Sequence, residues 1–130
     1  MRLFGRPLIW LWTLAALGGL AWGLIAVVFA SVGPSQYVPR VFYSYHVEHF
    51  AAFYVIFVLA AAGLPSVKLH HIAFAALLMA LILATVRLTI PRHQFSDFED
   101  LCADVAGIAA GLAPMLVARL RQSARSRRAR

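Results

Sequence analysis

Residues 43–63 read YSYHVEHFAAFYVIFVLAAAG, and this stretch decides the fold. From Phe50 to Gly63 there are 14 residues without a charged side chain. As helix they would rise about 21 Å, short of the roughly 30 Å hydrocarbon core of a bilayer. A spanning helix must therefore begin near Tyr43–Tyr45 and carry His46, Glu48 and His49 below the membrane surface. By helix rise His49 lies about 6–9 Å inside. Ionisable groups at that depth are costly, face the bundle interior and pair.

Three further apolar segments flank this one: about Leu8–Ala30, His71–Ile90 before Pro91, and Phe98–Val117. Each is near the roughly 20 residues that cross a bilayer as helix. Four segments cannot close a barrel, and open strands would leave backbone groups unsatisfied in lipid. The expected class is all-α, an integral membrane four-helix transmembrane bundle over residues 1–118, with helices at about 8–30, 44–63, 71–90 and 98–117. A basic tail over 119–130 follows. The composition agrees: the 130 residues are 62% hydrophobic and 13% charged, against about 45–50% and 25% in soluble domains. Cys102 is the only cysteine, so the chain can form no disulfide within itself.

The first segment has some marks of a signal peptide, with Arg2 and Arg6 ahead of it and Val28-Phe29-Ala30 at its end. Its apolar run exceeds 20 residues, against 7–15 for a signal core, so it is expected to stay as an uncleaved helix. With the N-terminus inside, Arg2, Arg6, Lys68, Arg119, Arg121, Arg125, Arg127, Arg128 and Arg130 fall on the cytoplasmic side. Arg40, Arg87 and Arg92 fall outside. This bias predicts N-in/C-in, with the tail held on anionic lipid rather than on nucleic acid. Gly19-Leu-Ala-Trp-Gly23 and Gly107-Ile-Ala-Ala-Gly111 have the GxxxG spacing that lets helices approach closely. Packing within the bundle is their expected use.

All five acids, Glu48, Asp97, Glu99, Asp100 and Asp104, then lie on the outer side, with His46, His49 and His93. On the fourth helix Asp97, Asp100, Asp104, Gly107 and Gly111 step by 3, 4, 3 and 4, one helical stripe. Ser96 or Asp97 suits an N-cap. On the second helix Tyr45, Glu48, His49 and Ala52 share a face. Arg87, a turn from the end of the third helix, is expected to neutralise Asp104. The candidate ligand-binding set is Glu48, His49, Arg87, Arg92, Asp100 and Asp104. No nucleophile is identifiable, and no metal or cofactor is expected, although His46, His49, His93 and Asp100 include a pair at ligand spacing.

Two motifs resemble the VanZ-like family of small membrane proteins, over roughly His46 to Leu116. One is Glu48-His49-Phe50-Ala51-Ala52-Phe53. The other is the run from Pro91-Arg92 through Asp100, Ala103, Asp104 and Gly107 to Gly111, similar to a family pattern of Pro-Gly-Arg followed by Asp-x-x-Ala-Asn-x-x-Gly-x-x-x-Gly. Arg92, Asp100, Ala103, Gly107 and Gly111 take family positions, and Asp104 stands where Asn is usual. A family Glu-x-x-Gln pair at the end of the third helix is replaced by Ala84 and Arg87, the Asp-Lys before the first His by Tyr45-His46, and the Gly of Pro-Gly-Arg is missing. The resemblance implies a protein of the bacterial inner membrane and cell envelope, in a family linked to glycopeptide (teicoplanin) resistance.

Three functions remain open. The first is binding of a polar or anionic lipid-linked ligand in an outer-leaflet pocket, with Arg87 and Arg92 on phosphate. The second is a non-catalytic accessory subunit with a membrane-protein partner. The third is an enzyme on a lipid-linked substrate, with His49 as acid/base. The partners expected throughout are membrane lipids, with no nucleic acid.

Overall fold

The computed structural model describes residues 5–32, 44–89 and 97–128. They form four helices: α1 (Gly5–Val32), α2 (Tyr45–Gly63), α3 (Leu69–Leu88) and α4 (Asp97–Arg128). All four are long and apolar enough to cross a membrane. The chain is thus an all-helical, multi-pass membrane protein with lipid around it.

The α2–α3 turn shows why the helices end where they do. The Leu64 N–H still bonds the Ala60 carbonyl at 2.9 Å. Pro65 then has no N–H to continue the ladder. Lys68 is extended, and its carbonyl accepts from the His71 N–H at 2.9 Å, which starts α3. The third helix therefore begins two residues before the expected His71. His70 and His71 are exposed at this turn. Hydroxyls on the spans are satisfied locally: Thr13 donates to the Ile9 carbonyl and Thr85 to that of Leu81, which removes a polar cost in lipid.

α2 is the central element. It packs on α1, on α3 and most extensively on α4. Gly19 and Gly23 of α1 lie against Leu59 and Ile56, so α1 and α2 run antiparallel. Gly107 and Gly111 of α4 lie against Phe50 and Phe57, so α2 and α4 run parallel. A Cβ at Gly107 would strike the Phe50 carbonyl oxygen, and one at Gly111 would sit 2.7 Å from the Phe57 ring. Both GxxxG motifs thus serve packing inside the bundle, and the one on α4 does so at backbone contact.

The core consists of Phe53, Phe57, Ile56, Ile72, Leu83 and Ile108, with Ala76 and Ala80 giving α3 a small inward face. Long apolar side chains such as Trp10, Trp22, Phe74, Leu81 and Ile82 point outward, which suits a lipid-facing surface. α4 does not stop near Val117. It runs 32 residues, through Pro114, to Arg128, about 48 Å of helix. The stretch after Val117 is rich in Arg and Ala, which are good helix formers, and contains neither Gly nor Pro. The basic tail is therefore a continuation of α4 up to Arg128 rather than a separate segment.

Candidate functional site

Alternating helix direction brings the C-terminal ends of α1 and α3 and the N-terminal ends of α2 and α4 to one end of the bundle. Each contributes a polar side chain there: Ser31, Arg87, His49 with His46, and Asp100 with Asp104. Arg87, Asp100 and Asp104 are at most 1% exposed, and His49 is 8% exposed. They sit directly above Phe53, Phe57 and Ile108, where the apolar core begins.

Asp104 Oδ1 lies 2.8 Å from His49 Nδ1. Asp100 Oδ2 accepts from Arg87 Nη1 at 3.4 Å, and its Oδ1 lies 3.0 Å from His46 Nδ1. Arg87 Nη2 donates to Ser31 Oγ at 3.1 Å and approaches His49 Nδ1 at 3.4 Å. His49 Nε2 is 4.0 Å from Asp100 Oδ2. At the rim, His46 Nε2 lies 3.1 Å from Glu99 Oε2, and these two side chains are 44% and 70% exposed. The Tyr45 ring packs edge-on against the His49 imidazole, centroids 4.7 Å apart. Among the described residues, the buried atoms Arg87 Nε and Asp104 Oδ2 have no hydrogen-bond partner.

The structure brings four of the six candidate residues together: His49, Arg87, Asp100 and Asp104. Glu48 is half-buried on α2, beside His49. The inward face of α2 is centred on His49, Phe53, Ile56 and Phe57, with Ala52 partly buried at its edge, so it is rotated toward Phe53 from the face that Tyr45, Glu48, His49 and Ala52 define. Arg92 and His93 lie outside the described residues, as does the side chain of Asp97. One pairing differs from expectation. Arg87 bonds Asp100, and Asp104 belongs to His49. The reason is register: His49 and Asp104 are each about one to two turns into the parallel helices α2 and α4, at matching depth.

Two participants escape the sequence reading. His46 stands on the outer side but outside the candidate set, yet its Nδ1 lies 3.0 Å from the carboxylate that Arg87 also bonds. Ser31 carries no motif. Its one signal is that it is a hydroxyl at the far end of an apolar helix, level with Arg87. Cys102 is exposed on α4, away from the cluster. Among the described residues, no group of three His, Cys, Asp or Glu side chains is placed to hold a metal ion.

The arrangement is a compact ionic network with an exposed rim. Its two aspartates and one guanidinium are withdrawn from solvent, so what approaches from outside meets His46 and Glu99 first. Compared with protein-family models, with curated proteins and with solved structures, the chain matches none.

Proposed function

We propose that this is a VanZ-like protein of a bacterial cytoplasmic membrane, oriented N-in/C-in, whose polar end lies in the outer leaflet and binds the head group of an anionic lipid or lipid-linked ligand. The observation that carries the reading is the convergence of ionisable side chains from three membrane helices, with Ser31 from the fourth, at one end of the bundle. Such groups are rare in membrane spans and mark sites of function. Among the described helices, Arg6 of α1, Lys68 ahead of α3 and Arg119, Arg121, Arg125, Arg127 and Arg128 of α4 sit toward the opposite end, which supports the orientation.

Burial refines which residues meet a ligand. Arg87, Asp100, Asp104 and His49 are engaged with one another, so their role is to support the rim. His46 and Glu99 form that rim, and Arg92, close in sequence to both Arg87 and α4, supplies a guanidinium for phosphate. Ser31, the hydroxyl of the described cluster, accepts from Arg87 rather than facing a base, which favours binding over a serine-nucleophile reaction.

Lipid retention tests this. The protein is purified in mild detergent and its bound lipid quantified by mass spectrometry. Arg92→Ala and His46→Ala should each lose bound anionic lipid, while Leu81→Ala, on the lipid-facing surface, should not. Equal retention in all three would sink the reading. A stoichiometric protein partner in place of lipid would favour the accessory-subunit role.

A further inference from the structure

Two buried atoms of the polar cluster are unpartnered among the described residues, and they are of opposite kind. Arg87 Nε–H is a donor and Asp104 Oδ2 an acceptor. The rest of each side chain is engaged: Arg87 Nη1 donates to Asp100 and Nη2 to Ser31, and Asp104 Oδ1 bonds His49. Burying a polar atom without a hydrogen bond is costly, and the large majority of buried polar atoms have one. Both atoms belong to one neighbourhood. Arg87 Nη2 and Asp104 Oδ1 approach the same atom, His49 Nδ1, at 3.4 Å and 2.8 Å. Nε and Oδ2 are each one carbon removed from those contacts.

This pair of needs selects a ligand class. A carboxylate or a phosphodiester accepts from Nε–H but has no proton to donate to Asp104, whose carboxylate it meets. An ammonium or a metal ion suits the carboxylate but cannot accept from the guanidinium and is repelled by it. A hydroxyl does both, since its oxygen accepts and its O–H donates. That oxygen has two lone pairs, so it also serves a proton placed on Oδ2. The match therefore does not depend on which atom of the His49–Asp104 pair holds the proton. The group has to be small, because Arg87, Asp100 and Asp104 are almost fully buried and so is Phe53, where the apolar core begins.

We infer that Arg87 Nε and Asp104 Oδ2 form a binding site for one hydroxyl group, held between α3 and α4 beside His49. Two sources carry such a group at a membrane surface: water, which commonly bridges buried polar atoms of this kind, and a lipid head group with free hydroxyls. Entry lies beside His49, the least closed of the four buried residues, whose ring meets half-buried Tyr45 at the start of α2. The water source stands without the lipid reading above. The head-group source rests on that reading and narrows the lipid to one with a polyol head.

The test uses the full-length protein, ¹⁵N-labelled at arginine, in three kinds of nanodisc. One is phosphatidylcholine alone, whose head group has no hydroxyl; the others add phosphatidylglycerol or phosphatidylserine, which match in charge while only the first has hydroxyls. Cross-relaxation from the Arg87 Nε proton is followed by NMR. In phosphatidylcholine a direct cross-peak to water is expected, and it should be lost in Asp104→Leu. Its replacement by a cross-peak to the head-group glycerol in phosphatidylglycerol discs, with no change in phosphatidylserine, supports the site and assigns it to lipid as well as water. A water cross-peak unchanged in all three supports it with water as the occupant. No cross-peak from this proton to water or glycerol in any disc would overturn the proposal, and so would a water cross-peak that persists in Asp104→Leu. Should Asp104→Leu fail to fold, the wild-type spectra decide alone. Protein that retains no lipid yet keeps the water cross-peak refutes the lipid reading and leaves this site standing.

Discussion

Arg87 is the residue on which the polar end depends. Among the described residues its guanidinium is the buried cation, and it ties α3 to α4 through Asp100 and to α1 through Ser31. Removing one partner of a buried ionic pair costs about 3–5 kcal/mol, because the other charge stays buried and alone. Arg87→Met should therefore lower unfolding stability in detergent by that order. Arg121→Met, on the exposed end of α4, should stay within about 0.5 kcal/mol. Equal effects of the two would show that the cluster is not a linked network.

At this scale the sequence told much but not the pairings. Depth marked His49 and Arg87, since ionisable groups that far into a span must meet something, and the helical stripe marked Asp100 and Asp104. Which acid meets which base depends on the relative rotation and height of α2, α3 and α4, and no single helix carries that information. His46 illustrates the difficulty: three residues before His49, it lies near the surface by rise, and only the closeness of α4 shows that it shares Asp100 with Arg87.

Among the elements, α4 is set by its glycines. Gly107 lies where the α2 backbone passes, and its missing side chain is what allows the contact. The same close approach puts Asp100 and Asp104 within reach of His46 and His49. Gly107→Ala would push a methyl group into the Phe50 carbonyl, with no flexible side chain to give way. It should destabilise by about 1–3 kcal/mol, as overpacking does, and weaken the His49–Asp104 bond above it. Gly18→Ala, whose Cβ would meet nothing, should be neutral or stabilising, since Ala favours helix by about 1 kcal/mol. Thermal unfolding of both variants compares them, and similar losses would contradict the packing described here.

The stripe of Asp97, Asp100, Asp104, Gly107 and Gly111 was legible because period and composition agree along it. The face of α2 was less so. Apolar residues surround that helix, so periodicity alone did not fix which side turns inward. The length of α4 was not legible either. Charge density after Val117 read as an end of the membrane span, which it is by composition, but helix propensity carries the backbone on to Arg128.

For the whole molecule, helix count and class follow from four apolar segments near the length that a bilayer demands. What the bundle adds is an asymmetry between its ends. One end gathers Ser31, His46, His49, Arg87, Asp100 and Asp104; the other carries the α2–α3 turn and the arginines of α4. The proposed function depends on which end faces outward. Cysteine accessibility in intact cells tests it most directly, in a Cys102→Ser background with a membrane-impermeant maleimide. Ser44→Cys, at the polar end, should label without permeabilisation, and Ser66→Cys and Ser123→Cys, at the basic end, only after it. Labelling of Ser66→Cys and Ser123→Cys in intact cells, with Ser44→Cys protected, would contradict the account by placing the polar cluster on the cytoplasmic side.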